Sequence, residues 1–364
     1  MRGPVRDALY ANIVAATART IEDGGVRILI LGGSRFLGRA FAAEALDAGH
    51  DVTVFNRGRS GPDLPGVTAI RGDRENPAAL GRLVAEGTAA EPWDAVVDTS
   101  GYVPKIVGEG AAALAGAAGA YLFISSASAF ADFPARPLSA ASPLFDCPAD
   151  ATEGEYGPLK AGCERAIRAN FPGRVLIHYP GIILGPHETS GRLTWWLSRI
   201  ARGGEVLAPG DPRREIQLID ARDIARFGLH CLETGSTQPF LLAGPKGHTT
   251  FGDWLAACAQ TTGSDARFVW APDDVLTENE VQVWSGLPLW SPEGGEAAAV
   301  WDKDCAPALA AGLVCRPIEE TVRDTWAWLK DAPSLADEDG RINGHGLSAD
   351  EEGRILAALK DRAA

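Results

Sequence analysis

Between Val26 and Tyr179, short apolar runs alternate with longer segments of helical periodicity. The runs are VRILIL (26–31), DVTVF (51–55), VTAI (67–70), DAVVD (94–98), AYLFIS (120–125) and RVLIHY (174–179). Strands this continuously apolar suit a parallel sheet covered on both faces, because a sheet with one wet face would alternate apolar and polar residues. The stretches between them, such as FLGRAFAAEALDAGH and KIVGEGAAALAGAAGA, are long enough for the helical crossovers that parallel strands require. The pattern predicts an α/β fold: a Rossmann-type doubly wound parallel sheet with a smaller mixed C-terminal substrate-binding part.

Past residue 180 the texture changes, and nine of the ten tryptophans lie at 195 or beyond. The pattern predicts helices near 191–203, 221–234, 251–262, 303–311 and 318–330, with strands near 215–219 and 239–242. Residues 271–300, rich in Pro, Gly and Trp, read as loops. The stretch 331–346, DAPSLADEDGRINGHG, reads as a linker, and 348–361 as an amphipathic helix. Four parts result: an N-terminal helical extension (1–25), a Rossmann domain (26–180), a substrate-binding region partly interleaved with the sheet (181–330), and a linker with a C-terminal helix (331–364).

Composition narrows the function classes. A net charge of −14 leaves no basic surplus for a general nucleic-acid or anionic-membrane binder, although a local basic pocket for one small anion is compatible with it. Six scattered cysteines without C-x-x-C read as free thiols in a reducing compartment, and hence a cytoplasmic protein. No apolar run reaches 18 residues, so no membrane span is expected, and the N-terminus lacks the apolar core of a signal peptide. The histidines lack ligand spacing, so no metal site is expected.

The first apolar run leads into LGGSRFLG (31–38). A loop that holds a pyrophosphate needs close backbone approach and a helix N-terminus aimed at the phosphates. Gly32, Gly33, Ser34, Arg35, Phe36, Leu37 and Gly38 sit in that order between a strand and a helix, with Gly38 suited to close helix–sheet packing. At the end of the second strand, where NAD-binding folds carry an acid for the ribose, Asn56 stands instead, followed by Arg57 and Arg59. Guanidinium groups pair with a 2′-phosphate, so Arg35, Arg57 and Arg59 read as an NADP pocket, or else as solvated surface arginines. NADP is therefore expected ahead of NAD. Asp73 and Arg74, in RGDREN, fall where the adenine end would lie.

EYGPLKAGCERAIRANF (155–171) places Tyr156 and Lys160 one helical turn apart on one face. An ammonium near a phenol favours the phenolate and makes the tyrosine a usable proton donor and acceptor. Thirty residues earlier the fifth strand ends in ISSASAF, with Ser125 and Ser126 at the edge where doubly wound sheets bind ligands. A hydroxyl there can bond a substrate oxygen.

With these motifs the chain resembles the extended short-chain dehydrogenase/reductase superfamily, in its NAD-dependent epimerase/dehydratase-like branch, over roughly residues 26–330. LGGSRFLG, DTSGY, ISSASAF, YGPLK, YPGIILGP and QLIDARDIA carry the likeness. It implies that Ser126, four residues before the aromatic Phe130, polarises the reacting group. Tyr156 would be the acid/base, and Lys160 would lower its pKa and hold the nicotinamide ribose. Pro180, Gly181 and Ile182 would line the nicotinamide, while Thr99, Ser100 and Gly101 would pass the middle of the cofactor. The family loop carries glycine where Arg35 stands, and many relatives carry arginine where Tyr179 precedes Pro180.

The resemblance places GPHETSGRLTWWLSRIARGGE around the substrate. His187, Arg192 and Trp196 are its candidate contacts, with Tyr102 and Ser128 from the cofactor side. Asp220 reads as a helix cap and Asp223 as a first-turn acid. The implied function is an NAD(P)-dependent reductase or epimerase acting at a carbinol/ketone centre of a small molecule. A dehydratase ranks lower, because Ala127 and Ser128 stand where added acids would be. The alternative is a non-catalytic NAD(P)-sensing or RNA-binding relative. A homodimer through the helices after the fourth and fifth strands is compatible with the alanine-rich 111–120.

Overall fold

The structure is a computed structural model that describes residues 25–89, 91–294, 297 and 299–363. The expected N-terminal helix lies outside the described residues, except for Gly25. The strands are β1 (Arg27–Leu31), β2 (Asp51–Asn56), β3 (Thr68–Arg71), β4 (Trp93–Asp98), β5 (Ala118–Ile124), β6 (Arg174–Pro180), β7 (Ile182–Leu184), β8 (Glu205–Pro209), β9 (Glu215–Ile216), β10 (Leu218–Asp220), β11 (Phe240–Leu242), β12 (Thr249–Thr250) and β13 (Arg267–Ala271). The helices are α1 (Phe36–Asp47), α2 (Pro77–Gly87), α3 (Pro104–Leu114), α4 (Tyr156–Asn170), α5 (Thr194–Ala201), α6 (Ala221–Glu233), α7 (Phe251–Thr262), α8 (Asp273–Glu278), α9 (Ala306–Ala310), α10 (Ile318–Leu329) and α11 (Ala349–Ala363).

Seven strands form one parallel sheet in the order β3-β2-β1-β4-β5-β6-β11. The sheet is covered on both faces, as the apolar runs require. Successive residues of β5 point to opposite sides. Tyr121 and Phe123 join the core beneath α2, α3 and α4, while Ala120, Leu122 and Ile124 join the core beneath α1 and α6. The strand order reverses between β1 and β4, which opens a crevice at their carboxyl ends.

The second half builds a third core around Trp195, Trp196, Trp254 and Trp290, with small pairs β7–β10, β8–β13 and β9–β12. Strands β8 and β13 and helix α8 were not expected from the sequence pattern. Asp220 caps α6, its Oδ1 accepting from the Arg222 amide at 2.8 Å. Asp223 accepts from Arg316 Nε, also at 2.8 Å. The stretch 331–346, linker-like in composition, is folded into this lobe. Ile342 and His345 bond each other's backbone, and a Cβ on Gly346 would collide with Trp195. Helix α11 is anchored by buried Glu352, which accepts from Arg199 Nε at 2.5 Å and from the Leu207 amide at 3.0 Å.

No helix among the described residues is long and apolar enough to cross a membrane, and none of their His, Cys, Asp and Glu side chains form a metal-binding group. The six cysteines are free thiols, five of them buried.

His178, on β6, is fully buried between Phe227 and Phe240, and neither ring nitrogen has a hydrogen-bond partner. Burial pushes its pKa from 6.5 to about 3. The unfolded chain therefore binds a proton that the folded chain refuses, and stability is lost as pH falls below about 6.5. Relative to wild type, His178→Phe is expected to gain about 2 kcal/mol more at about pH 5 than at neutral pH. Urea unfolding at the two pH values checks this, and an equal difference at both would contradict it.

Candidate active site

The carboxyl edge of the sheet opens into two cavities of about 450 Å³ each, whose walls share Phe36, Leu37, Thr99 and Tyr102. In the first, the chain turns from β1 into α1. Gly33 has φ +90°, and a Cβ there would lie 2.6 Å from Val54 Cγ1. At Gly38 a Cβ would lie 2.8 Å from the Gly33 nitrogen, so helix and loop touch. Arg35 occupies the helix N-cap in an extended conformation (φ −131°), which any residue adopts, so glycine is not needed there. No side chain caps this first turn. Its N–H groups remain for an anionic ligand, and the chemistry of the cradle fits a pyrophosphate.

Asn56 faces this loop. Its Nδ2 donates to Gly32 O at 3.2 Å and to Asp63 Oδ1 at 2.9 Å, while its Oδ1 accepts from Arg71 and from the Gly58 amide at 2.8 Å. Arg71 also pairs with Asp63 and holds that carboxyl below its ordinary range. Sequence reasoning missed Asp63 and Arg71, because their meeting depends on how the loop after β2 folds back. Arg35, Arg57, Ser60 and Asp73 line this end, with Arg57 3.8 Å from Asp73. Arg59 does not line it.

Arg74 lines this cavity as well. Its guanidinium makes two 2.9 Å bonds to fully buried Asp98, which also accepts from Tyr121 OH at 2.8 Å. The charge is neutralised beneath the cofactor crevice, and Arg74 supports Ser100 Oγ at 3.1 Å. Thr99 and Ser100 line the cavity and brace the loop through Leu31 O, at 3.3 and 3.0 Å. Gly101 turns its carbonyl to Lys160 and lines neither cavity.

The second cavity holds the expected chemistry. Tyr156 opens α4 and is 50% exposed, so its hydroxyl is available to a ligand. A Cβ on Gly157 would collide with the Ser128 carbonyl, so this glycine lets α4 dock on the turn after β5. Ser126 caps that turn, accepting from the Ser128 amide at 3.1 Å, and its hydroxyl lies close enough to Tyr156 to favour the phenolate. Ser125 is committed elsewhere: it donates to buried Glu164 at 2.5 Å, and Glu164 also accepts from Tyr179 OH at 2.7 Å. Glu164 thereby ties the ends of β5 and β6 to α4 and takes up the Ser125 hydroxyl.

Buried Lys160 donates to Gly101 O and Ile124 O, both at 2.8 Å, and burial lowers its pKa to about 8. Its Nζ lies 6.0 Å from the Tyr156 ring centroid. The expected lowering of the Tyr156 pKa is not found in this state. The cleft walls push the phenol up, and the Ser126 hydroxyl and the Arg192 charge oppose them.

Tyr102, Ser128, Arg192, Pro180, Gly181 and Ile182 line the chamber with the expected residues. Two expected substrate contacts do not. His187 has φ +67° and packs 5.0 Å from Trp328, turned away by the backbone. Trp196 is fully buried and donates to Pro288 O at 2.9 Å. In their place the fold brings Trp284, Leu289 and His345 into the wall. His345 comes from the linker-like stretch, and only its capacity as a polar side chain could have drawn attention to it.

The sheet order and crevice are those of the extended short-chain dehydrogenases/reductases. The model of the NAD-dependent epimerase/dehydratase family matches residues 28–242, and the chain belongs to that family. Among curated proteins it is 27% identical over 256 residues to chloroplast stem-loop binding protein of 41 kDa b from Arabidopsis thaliana, covering 65% of this chain and 63% of the relative. It is 29% identical to 2'-dehydrokanamycin reductase of Streptomyces kanamyceticus (61% and 60% covered). It is also 29% identical to 2-alkyl-3-oxoalkanoate reductase of Stenotrophomonas maltophilia (56% and 64%). The chain thus spans about three fifths of the length of these curated relatives. The fold matches UDP-glucose 4-epimerase of Thermotoga maritima with a TM-score of 0.61 at 17% identity, covering 84% of this chain and 98% of the other.

Proposed function

We propose that the protein is an NADP(H)-dependent reductase that interconverts a ketone and a secondary alcohol on a small molecule. The observation that carries this is the half-exposed Tyr156, grouped with Ser126 and Lys160 in a chamber that shares a wall with the glycine-turn cradle. Ser34 to Gly38 would hold the pyrophosphate, and Pro180 to Ile182 would line the nicotinamide. When bound, the nicotinamide supplies a hydride to the carbonyl carbon, or accepts one in the reverse direction. Ser126 donates to the substrate oxygen and polarises it. Tyr156 gives its proton to that oxygen as the alcohol forms, and takes it back in the oxidative direction. Arg192 and Lys160 put positive charge around the phenolate that results. The names of two relatives favour a reductase over an epimerase, and net consumption of NADPH on a ketone separates the two.

NADP is favoured over NAD because Arg35 and Arg57 line the adenosine end, Asp63 beside Asn56 is neutralised by Arg71, and Asp73 is paired with exposed Arg57. Titration followed by tryptophan fluorescence tests this. NADPH is expected to bind at least about tenfold tighter than NADH, with Arg35→Ala and Arg57→Ala each weakening NADPH about tenfold and leaving NADH unchanged. Equal affinity for both cofactors would overturn the 2′-phosphate pocket. The name of the Arabidopsis relative favours a second reading, a nucleic-acid-binding protein. It predicts RNA binding that is indifferent to loss of the Tyr156 hydroxyl.

A further inference from the structure

We propose that the reaction chamber selects oxo or hydroxy acids, with Arg192 holding a substrate carboxylate within a few bonds of the reacting carbon. This rests on the chamber being a ketone/alcohol site. Among the described residues its wall contains no acidic side chain, in a chain where acids outnumber Lys and Arg by 48 to 34. Of its two basic side chains of Lys and Arg type, Lys160 is enclosed by two carbonyls. Arg192 is half-buried, and its guanidinium has neither an ion pair nor a hydrogen bond among the described residues. Four other enclosed arginines are supplied with acids: Arg74 has Asp98, Arg199 has Glu352, Arg214 has Asp273 and Arg316 has Asp223. Half-buried Arg39 and Arg174 also lack acids but donate to backbone carbonyls; Arg192, which lines the chamber with Tyr156, has no such acceptor and is open to an acid from outside.

The rest of the wall sets the body of the substrate. Phe133, Pro134, Ile182, Ile183, Trp284 and Leu289 present apolar surface, which suits an alkyl or aryl chain. A planar fork of N–H donors matches one carboxylate with two parallel bonds. A diphosphate would bring two charges to one free cation, and an amine would meet cations with no acid to pair with.

The test uses the full chain saturated with NADP+, with octanoate and octanamide as non-reacting probes followed by calorimetric titration. Octanoate is expected to bind about 10- to 100-fold tighter than octanamide. Arg192→Gln is expected to abolish that preference, and Arg192→Lys to keep part of it, because lysine offers charge without the fork. UDP-glucose is expected not to compete with octanoate. With NADPH, 3-oxooctanoate is expected to be reduced with a similarly higher kcat/KM than its methyl ester.

Equal binding of acid and amide by wild type overturns the carboxylate site. So does a preference that survives Arg192→Gln, or effective competition by UDP-glucose. If octanoate binds through Arg192 but neither ketone is reduced, the carboxylate site stands and the reductase reading falls. If both ketones are reduced alike and octanoate binds no better than octanamide, the reductase reading stands and the carboxylate site falls.

Discussion

Tyr156→Phe is expected to lower turnover about 10²- to 10⁴-fold, the range for a positioned proton donor, while NADPH affinity changes by less than about twofold. Phenylalanine keeps the ring that stands 6.4 Å from the Tyr102 ring and 6.0 Å from Lys160 Nζ. It removes only the hydroxyl beside Ser126. Packing and cofactor cradle are therefore preserved, and the loss isolates proton transfer. Steady-state rates with a ketone substrate, beside a fluorescence titration of NADPH, check both halves. An unchanged rate would remove Tyr156 from the chemistry.

The second large effect lies beneath the crevice. Asp98→Ala is expected to destabilise the fold by about 3–5 kcal/mol, because it leaves the buried Arg74 guanidinium without its counter-charge. Tyr121 OH and the Ser100 amide lose an acceptor at the same time. Arg74 holds the Asp98 carboxyl below its ordinary 3.8, against the cost of burial. The stabilisation is thus complete above about pH 4 and lost as pH falls through the folded value. Denaturant unfolding of wild type and variant at neutral pH measures the effect, and a loss under about 1 kcal/mol would mean that water reaches the arginine.

These two sites mark the boundary of what local sequence reveals. The parallel sheet is legible because six strands are contiguous apolar runs, and burial on both faces permits nothing else. Ser126, Tyr156 and Lys160 are legible because their spacing places them at one strand end and on one helix face. The Arg74–Asp98 pair is not, since the partners stand 24 positions apart and meet only through the pairing of strands. Nor is the orientation of Trp196, which is decided by a carbonyl 92 residues away. Composition misleads at 331–346, where Gly, Asp and Ser serve tight turns against Trp195. Strand β13 is hidden in the sequence pattern because RFVWA sits beside a stretch dominated by Pro and Gly.

The folding of 331–346 onto Trp195 divides the labour along the chain. The candidate residues Ser126, Tyr156 and Lys160 come from the first 180 residues, whereas Trp284, Leu289 and His345 of the same cavity come from beyond the family-matched 28–242. Descendants of such an ancestor can exchange or redraft their tails and acquire new substrates without disturbing the inherited proton relay. Selectivity then drifts at the pace of a surface loop, and chemistry at the pace of a core.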